Sequence, residues 1–561
     1  MTNHPPASHA AIDQALAELQ LGAQRLAASS LDERIHWAQA CIAAIDAVAH
    51  QWVEAACQAK RIPAGSAARA EEILVGPFSV ARYLRLAIAT LDELRTQPHP
   101  RLPGAPSVVH GQIRVPTFPT RHLYDAILFR GMTAETWLEP DAALDNLCGD
   151  APDRLARRTP PTPHVALVLG AGNVSAIPVT DALTMILQND AAVLLKMNPV
   201  NDYLGPIFER ALRPLIDAGC LRLAYGGAEV GAYAIHHDAV DSIHITGSTA
   251  SHDAIVWGAD PTERRERQAA NNPLVTKPVT SELGNVTPWT IVPGDYSDAQ
   301  LHSQAESIAA SIANNASFNC IATKMLITWK RWPARERFLD LVNSILQRIP
   351  PRYAYYPGAA ERFAAFSGQP APQQSDGQLP WVVRRDVTPA ADARLFQQES
   401  FVCVAGETAL DAATPLEFLE RAVDFMNDEL WGTLAAAITI PEQVRRHHAA
   451  ELDAALRRLR YGSIGVNQWP GVAYALMSPP WGAFPGASLA NVQSGRGFVH
   501  NTCLLDRPQK TVLRAPLTMF PKPSWFSTHR RPEPLAWKLC ELYCRPSLWR
   551  LPGIFNQAVR G

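Results

Sequence analysis

The stretch HVALVLGAGNVSAIPVTDALTMILQNDAAVLLKMNP, residues 164–199, decides the fold class. It opens with an apolar run typical of a buried strand, continues with a helical segment that begins at Pro178, and closes on a second apolar run. A strand, a helix and another strand in this order form the repeating unit of a parallel sheet. The stretch therefore predicts an α/β fold.

The alternation of strands and helices continues toward the C-terminus. A helix is predicted over 202–219, because its apolar residues share one face and Gly219 suits a helix end, and strands follow at 221–227 and 241–248. Doubly wound sheets of this kind bind their ligands at the carboxyl ends of the strands. Further strands are predicted in TPWTIVP, KMLITW, LPWVVRRDV and FVCVAGE, and further helices over 301–313, 333–348 and 414–427.

The pattern differs toward the N-terminus. Residues 11–95 carry apolar side chains at three- and four-residue steps, which predicts helices. SVVHGQIRVPTF (107–118) alternates like a strand. Residues 119–163 fit neither period, and we interpret them as an insertion.

The composition excludes several classes of protein. With 47% apolar and 19% charged residues and a net charge of −2, the 561-residue chain is neither disordered nor suited to nucleic acid. Its nine cysteines form no CxxC pair and no zinc-ligand spacing, so we expect reduced thiols and no metal site. We find no signal peptide and no run of about 18 apolar residues, which predicts a cytoplasmic protein.

Four positions carry side chains or turns that suit chemistry, and each also has an ordinary structural interpretation. Asn173 could cap a helix, Gly247–Ser248 could form a plain turn, Glu282 could lie on the surface, and Cys320 could be a buried thiol. The functional alternatives are an amide aimed at a substrate oxygen, an anion-binding turn, a general base and a nucleophile. Each position taken alone leaves both interpretations open.

The order of several segments along the chain favours the functional interpretation. From about residue 20 to 515 the sequence resembles the aldehyde dehydrogenase superfamily. The resemblance lies in LGAGNVSAIP, VLLKMNP, HITGST, SELGN, NCIATKMLI, QESFVCV, GSIGVNQWP and PPWGAFPGASLANVQSGRG.

The resemblance implies a covalent mechanism. Cys320 would attack an aldehyde to give a thiohemiacetal and then a thioester, while Asn173 and the Cys320 backbone N–H hold the oxyanion. Glu282 would activate the water that releases the carboxylic acid. The implied partner is therefore a small aldehyde.

The resemblance also implies NAD or NADP as the cofactor. Pro199 stands where many NAD-using members carry a glutamate, so the choice between the two stays open. The implied cofactor contacts are Lys196, Gly247, Ser248, Glu399 and Phe401.

The fold implied by the resemblance has two doubly wound Rossmann-like lobes and a small β element for oligomerisation. The strands of that element would complete a neighbour's sheet in a homodimer or tetramer. The expected domains are NAD(P)-binding (1–106 and 160–281), oligomerisation strands with the insertion (107–159 and 495–515), catalytic (282–494) and a tail (516–561).

Some positions depart from the family pattern. Asn285 replaces the second glycine of Glu-Leu-Gly-Gly, and His252 replaces a glycine after Gly-Ser-Thr. Val402–Cys403 replace Gly-Pro, and no glycine lies two residues before Cys320. These departures indicate an outlying branch with unusual substrate or cofactor geometry.

Two alternatives to aldehyde oxidation stay open. One is a CoA-linked reductase or acylating dehydrogenase, in which CoA rather than water takes the acyl group from Cys320. The presence of Glu282 favours water as the acyl acceptor, whereas the unusual residues on either side of Cys320 leave CoA open as the alternative acceptor. The other is a non-catalytic binding or scaffold protein, against which the combination of Asn173, Glu282 and Cys320 argues.

Residues 516–561, called the tail below, are basic and rich in tryptophan. They hold seven Lys or Arg and two Asp or Glu, a net charge of +5, together with Trp525, Trp537 and Trp549. One hypothesis is an arm packed on its own or a neighbouring subunit. The other is an interfacial patch at the mouth of a lipophilic site or in weak contact with an anionic membrane.

Overall fold

The computed structural model describes residues 4–373 and 376–561. The helices are α1 (His9–Ala28), α2 (Leu31–Ala59), α3 (Arg69–Ile73), α4 (Ser79–Leu94), α5 (Leu123–Leu128), α6 (Ala151–Leu155), α7 (Ile177–Leu187), α8 (Gly205–Ala211), α9 (Arg213–Asp217), α10 (Ala228–His236), α11 (Thr249–Trp257), α12 (Pro261–Ala269), α13 (Asp298–Ala313), α14 (Arg335–Leu346), α15 (Ala359–Ser367), α16 (Arg394–Gln397), α17 (Pro415–Asp428), α18 (Glu442–His447), α19 (Ala449–Arg458), α20 (Gly471–Leu476), α21 (Pro532–Cys544) and α22 (Leu551–Ala558).

The strands are β1 (Ser107–Val109), β2 (Gln112–Phe118), β3 (Thr133–Leu138), β4 (Val165–Leu169), β5 (Ala192–Lys196), β6 (Leu221–Ala224), β7 (Ser242–Thr246), β8 (Val279–Glu282), β9 (Pro288–Ile291), β10 (Met325–Trp329), β11 (Arg352–Tyr353), β12 (Gln378–Leu379), β13 (Val382–Arg384), β14 (Val404–Leu410), β15 (Ala435–Thr439), β16 (Ser463–Val466), β17 (Trp481–Gly482), β18 (Gly495–Arg496), β19 (Phe498–Val499) and β20 (Pro508–Arg514). The segment Leu74–Phe78 joins α3 to α4 through a kink at Val75 and Gly76, whose backbone dihedrals are not helical.

The first lobe is a six-stranded sheet in the order β18-β8-β7-β4-β5-β6, parallel except for β18. β4 and β5 are apolar along nearly their whole length because helices cover both faces of the sheet. α1 and α10 pack on one face, and α7 packs on the other. The prediction of a doubly wound sheet from residues 164–248 is confirmed.

The second lobe is a ten-stranded sheet in the order β1-β2-β3-β20-β16-β15-β9-β10-β14-β13. The strands from β16 to β13 run parallel, and β20 adds to them in parallel as well. β1, β2 and β3 extend the sheet with antiparallel pairs. The strands and helices predicted after residue 286 are all present in this lobe or packed on it.

Two features of this sheet differ from the sequence-based expectation. Residues 119–163 are not only an insertion, because they contain β3, which lies between β2 and β20. The buried hydroxyl groups of Thr136 in β3 and Thr511 in β20 lie 3.2 Å apart. Because a polar residue is buried in β3, the strand shows no alternation of hydropathy in the sequence.

The second difference concerns the strands assigned to oligomerisation. β20 pairs with β16 of the same chain, so this element completes the chain's own sheet and not a neighbour's. The homodimer or tetramer stays a prediction, but these paired strand edges do not supply its interface.

One helical segment, Arg69–Leu94, is long and apolar enough to span a membrane by length and composition. Of that apolar window, 72% is buried inside the protein. The segment packs against α2 and α21 as a core element.

Candidate active site between the two sheets

The carboxyl ends of the first sheet bring most of the predicted site residues to one edge. Asn173 follows β4, Lys196 ends β5, Gly247 and Ser248 follow β7, and Glu282 ends β8. Because adjacent strands lie about 4.8 Å apart, the edge from Glu282 to Lys196 spans about 15 Å. The sequence placed these residues at strand ends, and the fold aligns those ends.

Cys320 lies in the loop between α13 and β10 of the second lobe. The backbone before it is left-handed at three non-glycine residues, with φ of 53° at Asn315, 55° at Ala316 and 68° at Ser317. Such conformations cost about 1 kcal/mol or more each and need support from their surroundings. Lys324 supplies part of that support, since its Nζ donates to the Ser317 carbonyl at 3.1 Å and to the Val402 carbonyl at 3.0 Å.

Glu282 and Cys320 meet across the gap between the two sheets. Cys320 Sγ lies 3.7 Å from Glu282 Oε1, and the carboxyl group is buried. Burial, together with the charge of Asp181, raises the pKa of Glu282 to about 7. Burial and the carboxylates of Glu282 and Glu399 raise the pKa of the Cys320 thiol well above its usual range. The resting pair therefore keeps the proton on sulfur and places a base of nearly neutral pKa beside it.

Asn173 is fixed against the loop that carries Cys320. Its side-chain Nδ2 donates to the Phe318 carbonyl at 3.1 Å, which leaves its second N–H for another acceptor. Its own carbonyl accepts from Lys60 Nζ at 3.1 Å, Asn315 Nδ2 at 3.0 Å and Tyr355 Oη at 2.9 Å. This network joins the end of α2, the loop after β4 and the cysteine loop into one rigid unit.

Glu399 and Phe401 lie near the cysteine loop, since the Glu399 charge acts on Cys320 and Phe401 packs on Phe318 with ring centroids 5.9 Å apart. A methyl group on Gly284 would lie 2.0 Å from Glu399 Oε2, so the carboxyl group fits only because residue 284 is glycine. Burial raises the pKa of Glu399, and the nearby Lys324 ammonium opposes that rise. Phe401 packs against Tyr356 with ring centroids 5.0 Å apart.

The turn after β7 and the end of β5 present polar groups beside open space. Ser248 caps α11 by accepting from the Ser251 backbone N–H at 3.1 Å. A methyl group on Gly247 would meet no atom within 4 Å. Burial lowers the pKa of Lys196 to about 8, against the attraction of Asp202. A helix N-terminus above an empty space, with a buried ammonium two strands away, suits a phosphate-bearing ligand.

Cys320 also borders an apolar pocket whose space, open solvent included, is about 890 Å³. Cys320 and Glu282 lie in its lining, together with Asn314 and Asn319 of the cysteine loop. The remaining lining is mostly apolar and comes from four regions: Leu74, Val75 and Phe78; Phe129; Val174 and Ile177; and Ile321 with residues 469–481. The tail adds Ser524, Trp525 and Leu539.

Comparison with known proteins finds a family similarity in the middle of the chain. Residues 163–349 are similar to the family model described as "Aldehyde dehydrogenase family". In sequence comparison, no curated protein matches the chain.

Solved structures show the same fold along nearly the whole chain. Aldehyde dehydrogenase 21 from Physcomitrella patens, in complex with the reaction product succinate, has a TM-score of 0.58 and 14% identity, with 91% of each chain covered. Aldehyde dehydrogenase C from Pseudomonas syringae, a mutant in complex with NAD+ and octanal, has a TM-score of 0.59 and 16% identity, over 91% of this chain and 90% of the other. The aldehyde dehydrogenase KauB from Pseudomonas aeruginosa has a TM-score of 0.57 and 18% identity, over 91% and 90%.

The departures from the aldehyde dehydrogenase pattern have physical counterparts in the structure. Asn285 Nδ2 donates to the Ala435 carbonyl at 2.7 Å, so this side chain ties the loop after β8 to β15. Phe318, at the position two before Cys320, packs against Phe401 and Tyr355 at centroid distances of 5.9 and 5.0 Å. His252 is fully buried in α11, so that helix packs through a ring where the family usually has glycine.

Some residues of this candidate site carried no motif in the sequence. Asp181 accepts from Thr246 Oγ1 at 2.8 Å and lies 3.6 Å from His244 Nε2, on the face of the sheet that also carries Glu282. The only sign of Asp181 in the sequence was that it is a single carboxylate in the otherwise apolar helix α7. Lys60 gave no signal as a site residue, because its contacts with Asn173 and Asn315 join parts of the chain more than 100 residues apart.

The hypotheses for the tail can now be compared with its position. The tail packs on its own chain, as the first hypothesis expects. It also lines the apolar pocket, as the second hypothesis expects. Contact with an anionic membrane stays a prediction, and the exposed side chains of Leu548 and Trp549 would make it.

Proposed function

We propose that this protein is an NAD(P)-dependent dehydrogenase that oxidises an aldehyde to its carboxylic acid through a covalent intermediate on Cys320. The observation that carries the proposal is the 3.7 Å contact between Cys320 Sγ and Glu282 Oε1. A nucleophile within reach of a base is the arrangement that covalent catalysis requires. The contact lies in the lining of an apolar pocket, where an aldehyde can reach the sulfur.

Glu282 serves both halves of the reaction. With a pKa of about 7, its carboxylate takes the proton of the Cys320 thiol, so that the sulfur attacks the aldehyde carbon. Oxidation of the Cys320 adduct gives a thioester, and once Glu282 has passed the thiol proton to solvent, it removes a proton from the water that releases the acid. A base beside the sulfur favours water over CoA as the acyl acceptor, because transfer to a thiol needs no such base.

The oxyanion formed by the attack is held by donors from the same loops. The second N–H of the Asn173 side chain and the backbone N–H of Cys320 would be these donors. One such donor is typically worth about 2.7–4 kcal/mol in the transition state. The network around the Asn173 carbonyl keeps this amide in place before the substrate arrives.

The residues on the other side of Cys320 fit a nicotinamide dinucleotide. Glu399 Oε1 is buried without a hydrogen-bond partner in the described part of the chain, which suits a ribose hydroxyl donor. When bound, NAD(P) supplies the acceptor for the hydride. Lys196, Gly247, Ser248 and Phe401 would complete its binding site. An indole-3-acetaldehyde dehydrogenase of the same fold was solved with NAD+, which supports this assignment.

The test is the formation of reduced nicotinamide by the purified full-length protein, with an aldehyde and either NAD+ or NADP+, in the absence of CoA. Turnover should be lost in Cys320→Ala and kept in Cys503→Ala, a buried thiol in a separate apolar cluster. Turnover that requires CoA would instead identify an acylating enzyme. Absence of both NAD(P) binding and aldehyde capture would identify a scaffold protein.

A further inference from the structure

The tail is clamped to the body of the chain by buried polar contacts. Arg82 and Asp125 form a fully buried ion pair at 2.6 Å, and Tyr543 Oη of α21 donates to Asp125 Oδ1 at 2.9 Å. Arg85 donates to the carbonyls of Tyr543 and Cys544 at 2.9 and 2.8 Å. These contacts lie within one chain and fix the position of α21 without a partner subunit.

Apolar packing fixes the same helix on two sides. Ala536, Cys540, Tyr543 and Cys544 pack into a cluster with residues of α2 and of the segment 68–81. Leu535 and Leu542 face Ile554 of α22, and Leu539 lies beside both clusters. α21 is therefore held rigidly where it borders the pocket.

The tail forms one wall of the pocket that contains Cys320. Trp525 and Leu539 line it together with Cys320 and Glu282, and Leu74 and Phe78 line it from the N-terminal helices. Most of this lining is apolar, so an apolar substrate chain is desolvated at little cost there.

The charges in the lining select against anions. Among the described residues that line the pocket there is no lysine or arginine, and the ionisable carboxyl groups are Glu71 and Glu282. Glu71 is engaged by the Asn315 backbone N–H at 2.9 Å and by Arg352 at 3.3 Å. An aldehyde with a carboxylate or phosphate would lose its hydration here and find no cation in the wall.

We propose that the tail is the substrate-facing wall of this site, and that the site takes uncharged, apolar aldehydes whose alkyl chain or aromatic ring packs on that wall. Trp525 and Leu539 are the specificity-determining residues of that wall. The inference rests on the proposed function, since it names the substrate class of the same site.

The test is a comparison of kcat/KM across a series of uncharged straight-chain aldehydes from acetaldehyde to decanal. We expect kcat/KM to rise about fourfold for each methylene group that the pocket buries. Butanal and succinic semialdehyde have the same number of carbons and differ in charge, and we expect the anion to be the much poorer substrate. Equal use of the two, or no dependence on chain length, would overturn the proposal.

Variants in the tail test the wall directly. Trp525→Ala and Leu539→Ala should lower kcat/KM for decanal by about tenfold or more and leave acetaldehyde nearly unchanged. The matched controls are Trp549→Ala and Leu548→Ala, which lie in the same tail and are 92% and 54% exposed. A uniform loss for every aldehyde would contradict a role in specificity.

A second measurement needs neither turnover nor a variant. Alkylation of Cys320 by iodoacetamide in the wild-type protein should be slowed by decanol at concentrations where ethanol has no effect. Protection without dehydrogenase activity would support the apolar pocket while the proposed function fails. Activity without protection and without chain-length dependence would retain the proposed function and overturn the substrate class.

Discussion

The side of Cys320 that we assign to the cofactor and the side that we assign to the substrate are built in different ways. On the cofactor side, Lys196, Ser248 and Glu282 lie at the carboxyl ends of parallel strands of one sheet, so the polar groups come from one sheet edge. On the substrate side, the wall joins the segment around Leu74 to the tail around Trp525. The first side follows from sheet topology, whereas the second depends on contacts between distant parts of the chain.

The largest expected effect falls where the two sides meet. Glu282→Gln should lower steady-state turnover by about 10²–10⁴-fold for short and long aldehydes alike, because the base that releases the acid is lost. A burst of reduced nicotinamide with a trapped Cys320 thioester should remain in rapid-mixing experiments. Normal turnover by this variant would remove Glu282 from the mechanism.

The next largest effect is expected for the network around the Asn173 carbonyl, which holds the loops on both sides of the site. Lys60→Met leaves the buried Glu72 carboxylate without its 2.8 Å ion pair and should cost about 3–5 kcal/mol of unfolding free energy. Denaturant unfolding measures this loss. The double variant Lys60→Met with Glu72→Gln should recover much of the stability, and the exposed Lys330→Met serves as the control. If the single variant is as stable as the wild type, the network around the Asn173 carbonyl does not hold the loops together.

A smaller change should separate the cofactor side from the substrate side. Lys196→Met removes a charged hydrogen-bond donor worth about 1.5–3 kcal/mol, so we expect KM for NAD(P) to rise about tenfold or more. The preference among aldehydes of different length should stay unchanged, in contrast to Trp525→Ala. Steady-state kinetics with the cofactor varied at fixed aldehyde measure the shift, and an altered chain-length preference would contradict the division into two sides.

The smallest effect is a displacement of the pH profile. Glu282 acts as a base in its ionised form, so activity falls as the pH drops through its pKa of about 7. The charge of Asp181 contributes to that raised pKa, so Asp181→Asn should move the acid limb of kcat toward lower pH. At alkaline pH the variant and the wild type should differ little, and Trp525→Ala should leave the limb in place. An acid limb that stays where it is in Asp181→Asn would show that burial alone sets the pKa.

The same division explains what the sequence could predict. The parallel sheet, the strand ends and the positions of Asn173, Glu282 and Cys320 follow from apolar periodicity and local motifs. β3 was not predicted because one of its buried residues, Thr136, is polar. Its hydroxyl group contacts that of Thr511, so the buried position carries no apolar side chain that the sequence pattern could show. Lys60 was missed as a site residue because its contact with Asn315 is set by tertiary packing, which leaves no local pattern. Trp525 entered only through one of two hypotheses for the tail, because its place in the pocket lining is also set by tertiary packing.

The pairing of β3 with β20 has a consequence for synthesis of the protein on the ribosome. The two strands are separated by more than 360 residues, so β3 leaves the exit tunnel long before its neighbour exists. At about 5–20 residues per second, this interval lasts roughly 20–75 seconds. During that time the nascent chain carries an open strand edge and an uncovered apolar pocket wall, both of which attract other chains. We therefore expect folding yield in cells to depend on chaperones that bind emerging chains, and to fall sharply when translation is slowed between β3 and β20.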